Sequence, residues 1–151
     1  MAHWLYKSEP FKWSWDSQVA AGAKGTHWDG VRNHAAKLNL MAMKLGDRGF
    51  FYHSNEGKEI VGVARIARAA YPDPSAPGED WSAVDVEPAY SLQKTVGLDA
   101  IKNAPELAAL QMLTRNRLSV TRVTAPEWSF LHGLAATRAD TQAPRTKKAA
   151  R

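Results

Sequence analysis

Two strand-like runs, residues 48–54 and 59–69, are joined by only four residues, Asn55-Glu56-Gly57-Lys58. A connection that short closes an antiparallel hairpin and leaves no room for a crossover helix. It commits the middle of the chain to an antiparallel sheet, and the flanking patterns extend that sheet. Residues 3–8 (His-Trp-Leu-Tyr-Lys-Ser) read as a first strand stopped by Pro10. From Trp81 to Pro88 the pattern alternates, with Ala83 and either Val84 or Val86 inward. Residues 118–123 alternate again, with Leu118, Val120 and Arg122 on one face and Ser119, Thr121 and Val123 on the other.

Helical segments lie between these runs. Residues 13–21 predict a helix with Ser14 as a possible cap, Asp16 near its positive end and Gly22 ending it. Asn33 can cap a helix over 34–44 whose apolar stripe is Leu38, Met41 and Leu45, closed by Gly46. Two short helices, 98–103 and 106–113, are separated by Pro105, and a last one spans 125–136 with Pro126 in its first turn. Residues 22–30 hold three glycines and predict a loop, as does the Pro-rich stretch 71–80. About five strands mixed with helices, without a regular βαβ period, predict an α+β fold with a small, curved, mostly antiparallel sheet.

The chain has 151 residues, enough for one domain or one domain plus a tail. Its net charge of +5 is unevenly placed. Residues 138–151 carry five Lys/Arg against one acid, which leaves residues 1–137 at a net +1. The expected organisation is therefore a folded domain over 1–137 and a disordered basic tail over 138–151. The tail lacks large apolar residues that would offset its ordering entropy. It reads first as a solubilising terminus and second as a non-specific phosphate-binding arm. Zero cysteines exclude disulfides, thiolate zinc sites and a cysteine nucleophile. No apolar run approaches a membrane span and no signal peptide is visible, so a soluble cytoplasmic protein is expected.

The usual catalytic signatures are missing. There is no phosphate loop, no dinucleotide fingerprint and no nucleophile elbow. The five histidines show no H-x-x-x-H pair, so no metal or cofactor is implied. Ser54 follows His53 directly, but adjacent strand residues point to opposite faces and cannot pair side chain to side chain. No enzymatic activity is expected.

Seven blocks then stand in order: Leu5-Tyr6-Lys7-Ser8-Glu9-Pro10, Trp28-Asp29-Gly30-Val31-Arg32-Asn33, Met43-Lys44-Leu45-Gly46-Asp47, Phe51-Tyr52-His53-Ser54-Asn55, Ala70-Tyr71-Pro72-Asp73, Trp81-Ser82-Ala83-Val84-Asp85-Val86 and Arg117-Leu118-Ser119-Val120. Together they resemble the EVE domain family over about residues 3–135. That resemblance implies a PUA-like fold, a small curved β-barrel or sheet flanked by helices, related to the YTH readers of methylated adenine. It also implies a non-catalytic module that binds a modified base, for example a methylated one, of DNA or RNA. Two other readings stay open: a PUA-like RNA-binding protein acting on tRNA or rRNA without reading a modification, and an enzyme on a small nucleotide-like ligand.

A base-binding pocket needs aromatic faces, each worth about 1–3 kcal/mol in stacking, and polar groups for the base edge. Six tryptophans are available. Trp28, in the Gly-rich loop, is the first candidate for an aromatic wall, as the YTH relatives carry a tryptophan in a similar loop. Trp81, opening a strand, is either a second wall or core. Trp4, Trp13, Trp15 and Trp128 are expected to pack. Lys7, Ser8 and Glu9 end the first strand, where side chains meet a pocket rim. Glu9 either accepts from an exocyclic amine or stabilises a helix N-terminus. Asn33 offers a donor and an acceptor to a base, or caps its helix. His53 stacks or donates, or faces solvent; Ser54 and Asn55 end a strand, although the hairpin turn alone explains Asn55. Arg32, Arg115 and Arg117 are phosphate candidates, with Arg122 a further one, against a plain basic surface.

Overall fold

The computed structural model describes residues 2–54, 56–115 and 118–137. Asn55, Arg117 and the expected tail lie outside the described residues. Among those described, six strands and five α-helices follow in the order β1 (His3–Ser8), α1 (Trp15–Ala21), β2 (Thr26–Trp28), α2 (His34–Ala42), β3 (Arg48–His53), β4 (Glu59–Pro72), β5 (Ser82–Gly97), α3 (Leu98–Lys102), α4 (Gln111–Thr114), β6 (Val120–Val123) and α5 (Ala125–Leu134). The fold is mixed α+β, and the strands form one open sheet in the order β2-β5-β4-β3-β1-β6. Every pair is antiparallel except β1 with β3, which run parallel from His3↔Arg48 to Ser8↔His53. The hairpin β3–β4 forms as its short connection requires. Repeated register shifts between the long strands β4 and β5 bend the sheet.

Alternation along the strands sends side chains to two cores. In β1, Trp4 and Tyr6 join Trp15, Trp28, Phe51, Val84 and Val86 on one face. Leu5 joins Phe50, Tyr52, Val63, Trp128 and Leu131 on the other. Helices cover both faces, so Ala83, Val84 and Val86 are all buried. Helix ends follow their cap chemistry. Ser14 and Asn33 accept from the amides of Ser17 and Ala36, and Thr124 with Glu127 makes a complete capping box.

Several expectations are corrected. The 22–30 loop contains β2, because Thr26–Trp28 finds a ladder partner in Val84–Val86. The first helix begins at Trp15, beyond its Ser14 cap. Strand β5 continues to Gly97, well past Pro88, and β4 takes in Tyr71 and Pro72. The segment 106–113 splits into a 3-10 turn at Pro105–Leu107 and the separate α4. On α2 the face that packs is Ala36, Lys37 and Leu40, whereas Leu38, Met41 and Leu45 are exposed. Lys37 lays its stem on the core and ends on the Asp80 carboxylate at 2.8 Å. No helix among the described residues is long and apolar enough to cross a membrane.

Gly62 of β4 is the tightest contact in the sheet, since a Cβ there would lie 2.2 Å from two indole atoms of Trp15. That indole is held in place by its Nε1, which donates to Ser91 Oγ at 2.8 Å. Gly62→Ala is therefore expected to cost at least about 2 kcal/mol in urea unfolding, and an unchanged midpoint would show that the ring gives way. The buried His132 imidazole lies between the Trp128 carbonyl and the Tyr90 hydroxyl, each at 2.8 Å. Burial holds its pKa below the ordinary histidine value, with the Trp128 carbonyl partly opposing. Protonation is thus penalised in the fold and free in the unfolded chain. Stability should hold above about pH 6.5 and decline as pH falls through the lowered folded value. His132→Gln should flatten that slope in urea titrations between about pH 7 and pH 5; equal slopes would remove His132 as its source.

Candidate functional site

Parallel pairing brings the carboxyl ends of β1 and β3 together, the place where open sheets leave a crevice for ligands. The Ser54 amide donates to the Ser8 carbonyl and the Lys7 amide to the Ser119 carbonyl, both at 2.9 Å, so three chain segments meet there. Beyond them opens a cleft of about 800 Å³. Its lining comes from the end of β1 and the turn after it, including Glu9, Lys12 and Trp13, from β2 and the segment 29–32, and from Ser54, Leu118 and Ser119.

The β1–α1 turn is held from within. The Glu9 carbonyl accepts from the amides of both Lys12 and Trp13 at 2.9 Å, and the Ser8 hydroxyl donates to the Trp13 carbonyl at 2.6 Å. Trp13 is half-buried. Its Nε1 donates to Oε1 of the buried Gln18 at 2.8 Å, which fixes the ring from α1 while leaving part of it to the cleft. Trp28 is only 9% exposed and packs on Tyr6 at 5.3 Å and Phe51 at 5.7 Å between ring centroids. Trp28 is thus a core side chain that reaches the cleft with its remaining edge.

Asp73 ties the far rim together. Its buried carboxylate accepts from the Gly30 amide (2.9 Å), Arg32 Nη1 (2.9 Å), the Ser75 amide (2.7 Å) and the Ser75 hydroxyl (2.6 Å). Burial works against its charge, but hydrogen bonds from Ser75, Gly30 and Arg32 outweigh it and hold the carboxyl down to about 2. Arg32 is thereby locked, with Nη2 also on Ser75 Oγ at 3.0 Å and the guanidinium over Trp81 at 5.6 Å. It lines the cleft as a positioned set of N–H donors whose charge is already met by Asp73. His27, on β2, places Nδ1 at 2.7 Å from the Tyr71 hydroxyl and 2.8 Å from Asp85 Oδ1, and Tyr71 also donates to Asp85. Burial, then the neighbouring Asp85, raises the Tyr71 hydroxyl above its usual range.

Of the residues expected from sequence, Lys7, Ser8, Glu9, Trp28, Ser54 and Arg32 are brought together at the cleft. Others are placed elsewhere. Trp81 stands between Arg32 and a stacked His34 at 5.1 Å, behind the rim. Asn33 is spent as the α2 cap, and His53 Nε2 accepts from the Trp15 amide at 3.0 Å, so both serve helix N-termini. Arg115 is exposed at the end of α4, and Arg122 lies over the buried Trp4 at 4.5 Å; neither lines the cleft. Trp13, Lys12, His27 and Asp29 are among the cleft residues that sequence reasoning missed. Trp13 had a signal, since it lies between a strand stopped by Pro10 and a Ser14 cap. Burial lowers the pKa of the Lys7 ammonium, and Glu9 pairs with Lys12 at 3.3 Å across the exposed turn. The cleft offers aromatic surface, cationic donors and carboxylate acceptors around one shared space. Among the described residues, no group of three or more histidines and carboxylates is placed to hold a metal ion.

Residues 2–134 match the family model described as the EVE domain. The chain is 35% identical to thymocyte nuclear protein 1 of Rattus norvegicus, over 87% of this chain and 73% of that protein. A crystal structure of a protein from Agrobacterium tumefaciens superimposes with a TM-score of 0.92 at 41% identity, covering 95% of this chain and 99% of that one. The crystal structure of the human THYN1 protein in complex with 5-methylcytosine containing DNA gives a TM-score of 0.82 at 33% identity, covering 92% of this chain and 100% of that one.

Because Asp73 holds Gly30 and Arg32 in one geometry, Asp73→Asn should cost about 2 kcal/mol in thermal or urea unfolding. It should also shift the Gly30 and Arg32 amide resonances. Unperturbed resonances at those two positions would show that the rim keeps its shape without the carboxylate.

Proposed function

Since the chain belongs to the EVE domain family, we propose that its cleft binds a modified base of nucleic acid, with DNA carrying 5-methylcytosine as the first ligand to try. The supporting observation is the cleft itself, at the carboxyl ends of the only parallel pair in the described sheet, in a chain whose fold matches that of a relative bound to such DNA. Trp13, half-buried, and Trp28, nearly buried, both line the cleft and offer it aromatic surface. Glu9 and Asp29 offer acceptors for an exocyclic amine, and Lys7, Lys12 and Arg32 offer donors for phosphate or a carbonyl edge. The domain at a net +1 gains little from long-range attraction, so affinity must come from the cleft.

The same geometry favours binding over catalysis. His53 Nε2 is taken by the Trp15 amide, and the Ser8 hydroxyl is given to the Trp13 carbonyl, so neither is poised as base or nucleophile. A single buried methyl contributes on the order of 0.8 kcal/mol, about a fourfold preference, unless polar contacts reinforce it.

The test is a binding titration of the protein with matched oligonucleotides, with and without 5-methylcytosine, in DNA and RNA and at two salt concentrations. We expect at least fourfold preference for the methylated strand that persists at the higher salt. Affinity that ignores the methyl group and vanishes with salt would leave only phosphate binding. Trp13→Ala should weaken binding about tenfold. Because the half-buried ring bonds to the buried Gln18, it should also lower the thermal midpoint, and binding is compared at a temperature where both proteins are folded. Trp28→Ala is the poorer variant, since removing a buried indole should cost about 3–5 kcal/mol of stability. Lowered by burial, Lys7 should lose its charge, and its share of the affinity, at lower pH than an exposed lysine.

A further inference from the structure

Phe11 is 67% exposed, and every other phenylalanine, tyrosine and tryptophan of the chain is buried or half-buried. Its place is specific. Lys7, Ser8 and Glu9 before it and Lys12 and Trp13 after it line the cleft. Phe11 itself does not line the cleft, but it sits between residues that do, and the Lys12 ammonium lies 5.9 Å from its ring centroid. The turn that presents it is braced by the two amide bonds to the Glu9 carbonyl and by the fixed φ of Pro10. An exposed apolar ring beside a cation, on a braced turn whose flanking residues line a cleft, carries the two elements that single-strand binders combine: an aromatic stacking face and a positive charge for the backbone.

We infer that Phe11 stacks on the nucleobase adjacent to the one held in the cleft, while Lys12 meets the phosphate between them. This rests on the nucleic-acid reading of the cleft. Drawing one base into a cleft uncovers the face of its neighbour, and an aromatic ring at the rim replaces the lost stacking partner. Phe11 therefore acts on oligonucleotides and not on single nucleotides, which separates its role from that of Trp13 inside.

The experiment compares 5-methyl-dCMP with a short single strand carrying one central 5-methylcytosine, for wild type, Phe11→Ala, Phe11→Trp and Lys12→Gln. Exposure of Phe11 keeps folding out of the comparison, and the thermal midpoint checks it. Phe11→Ala should weaken the oligonucleotide about tenfold and leave 5-methyl-dCMP unchanged, with Phe11→Trp restoring the affinity. The salt slope for the oligonucleotide should stay the same in Phe11→Ala and fall by about 0.7 in Lys12→Gln. Equal oligonucleotide affinity in wild type and Phe11→Ala would overturn the Phe11 assignment while leaving the cleft reading intact. An equal loss for both probes would also overturn it, by making Phe11 a support of the cleft. If wild type binds neither probe, the cleft reading fails and the Phe11 assignment falls with it.

Discussion

The six residues of β1 run in parallel register with β3, and a parallel pair cannot be closed by a turn. The chain must leave the end of one strand, cross the sheet and return to the start of the other. Residues 9–47 are that crossover, and they contain α1, β2 and α2. The cleft follows from the same constraint. Both parallel strands end on one side of the sheet, and the first stretch of the crossover must rise past those ends before it turns back. Trp13, Trp28 and Arg32 are on this connection, so the sheet supplies the platform while the crossover supplies most of the side chains.

Covering both faces of the sheet demands close approaches that only glycine allows. Gly49 faces the Tyr6 ring and Gly62 faces Trp15, and a Cβ at either would come within 2.4 Å of an aromatic carbon. These contacts let two large rings lie flat on the backbone and fill the first core. Trp28 closes that core from the β2 side. The aromatic edge offered to the cleft is therefore backed by packed side chains, and its position is set by the interior of the domain.

Much of this is legible in the residues. The β3–β4 hairpin follows from a four-residue connection, and the caps Ser14 and Asn33 follow from hydroxyl and amide chemistry before apolar periodicity. β2 was not legible. Three residues between glycines carry no period, and their strand character comes from partners more than fifty residues away. α2 misled for a related reason, because Leu38, Met41 and Leu45 form the more apolar stripe while tertiary contacts select Ala36, Lys37 and Leu40. The blocks around Lys7–Glu9 and Trp28–Arg32 supply Lys7, Ser8, Glu9, Trp28 and Arg32 to the lining of the cleft. Aromatic content alone did not separate Trp13, which faces the opening, from Trp81, which braces Arg32 from behind.

The division of labour between platform and crossover has a consequence for how such a chain can diverge. The paired strands answer to two cores and to glycine contacts that admit almost no substitution. The turn 9–13 is braced within itself and by Gln18, and the segment 29–32 is braced by Asp73, so neither belongs to the ladders. Lengthening the turn, or exchanging its charged tips, redraws the opening without disturbing a single ladder bond. Ligand preference can drift on this scaffold in small local steps while the architecture stays constant.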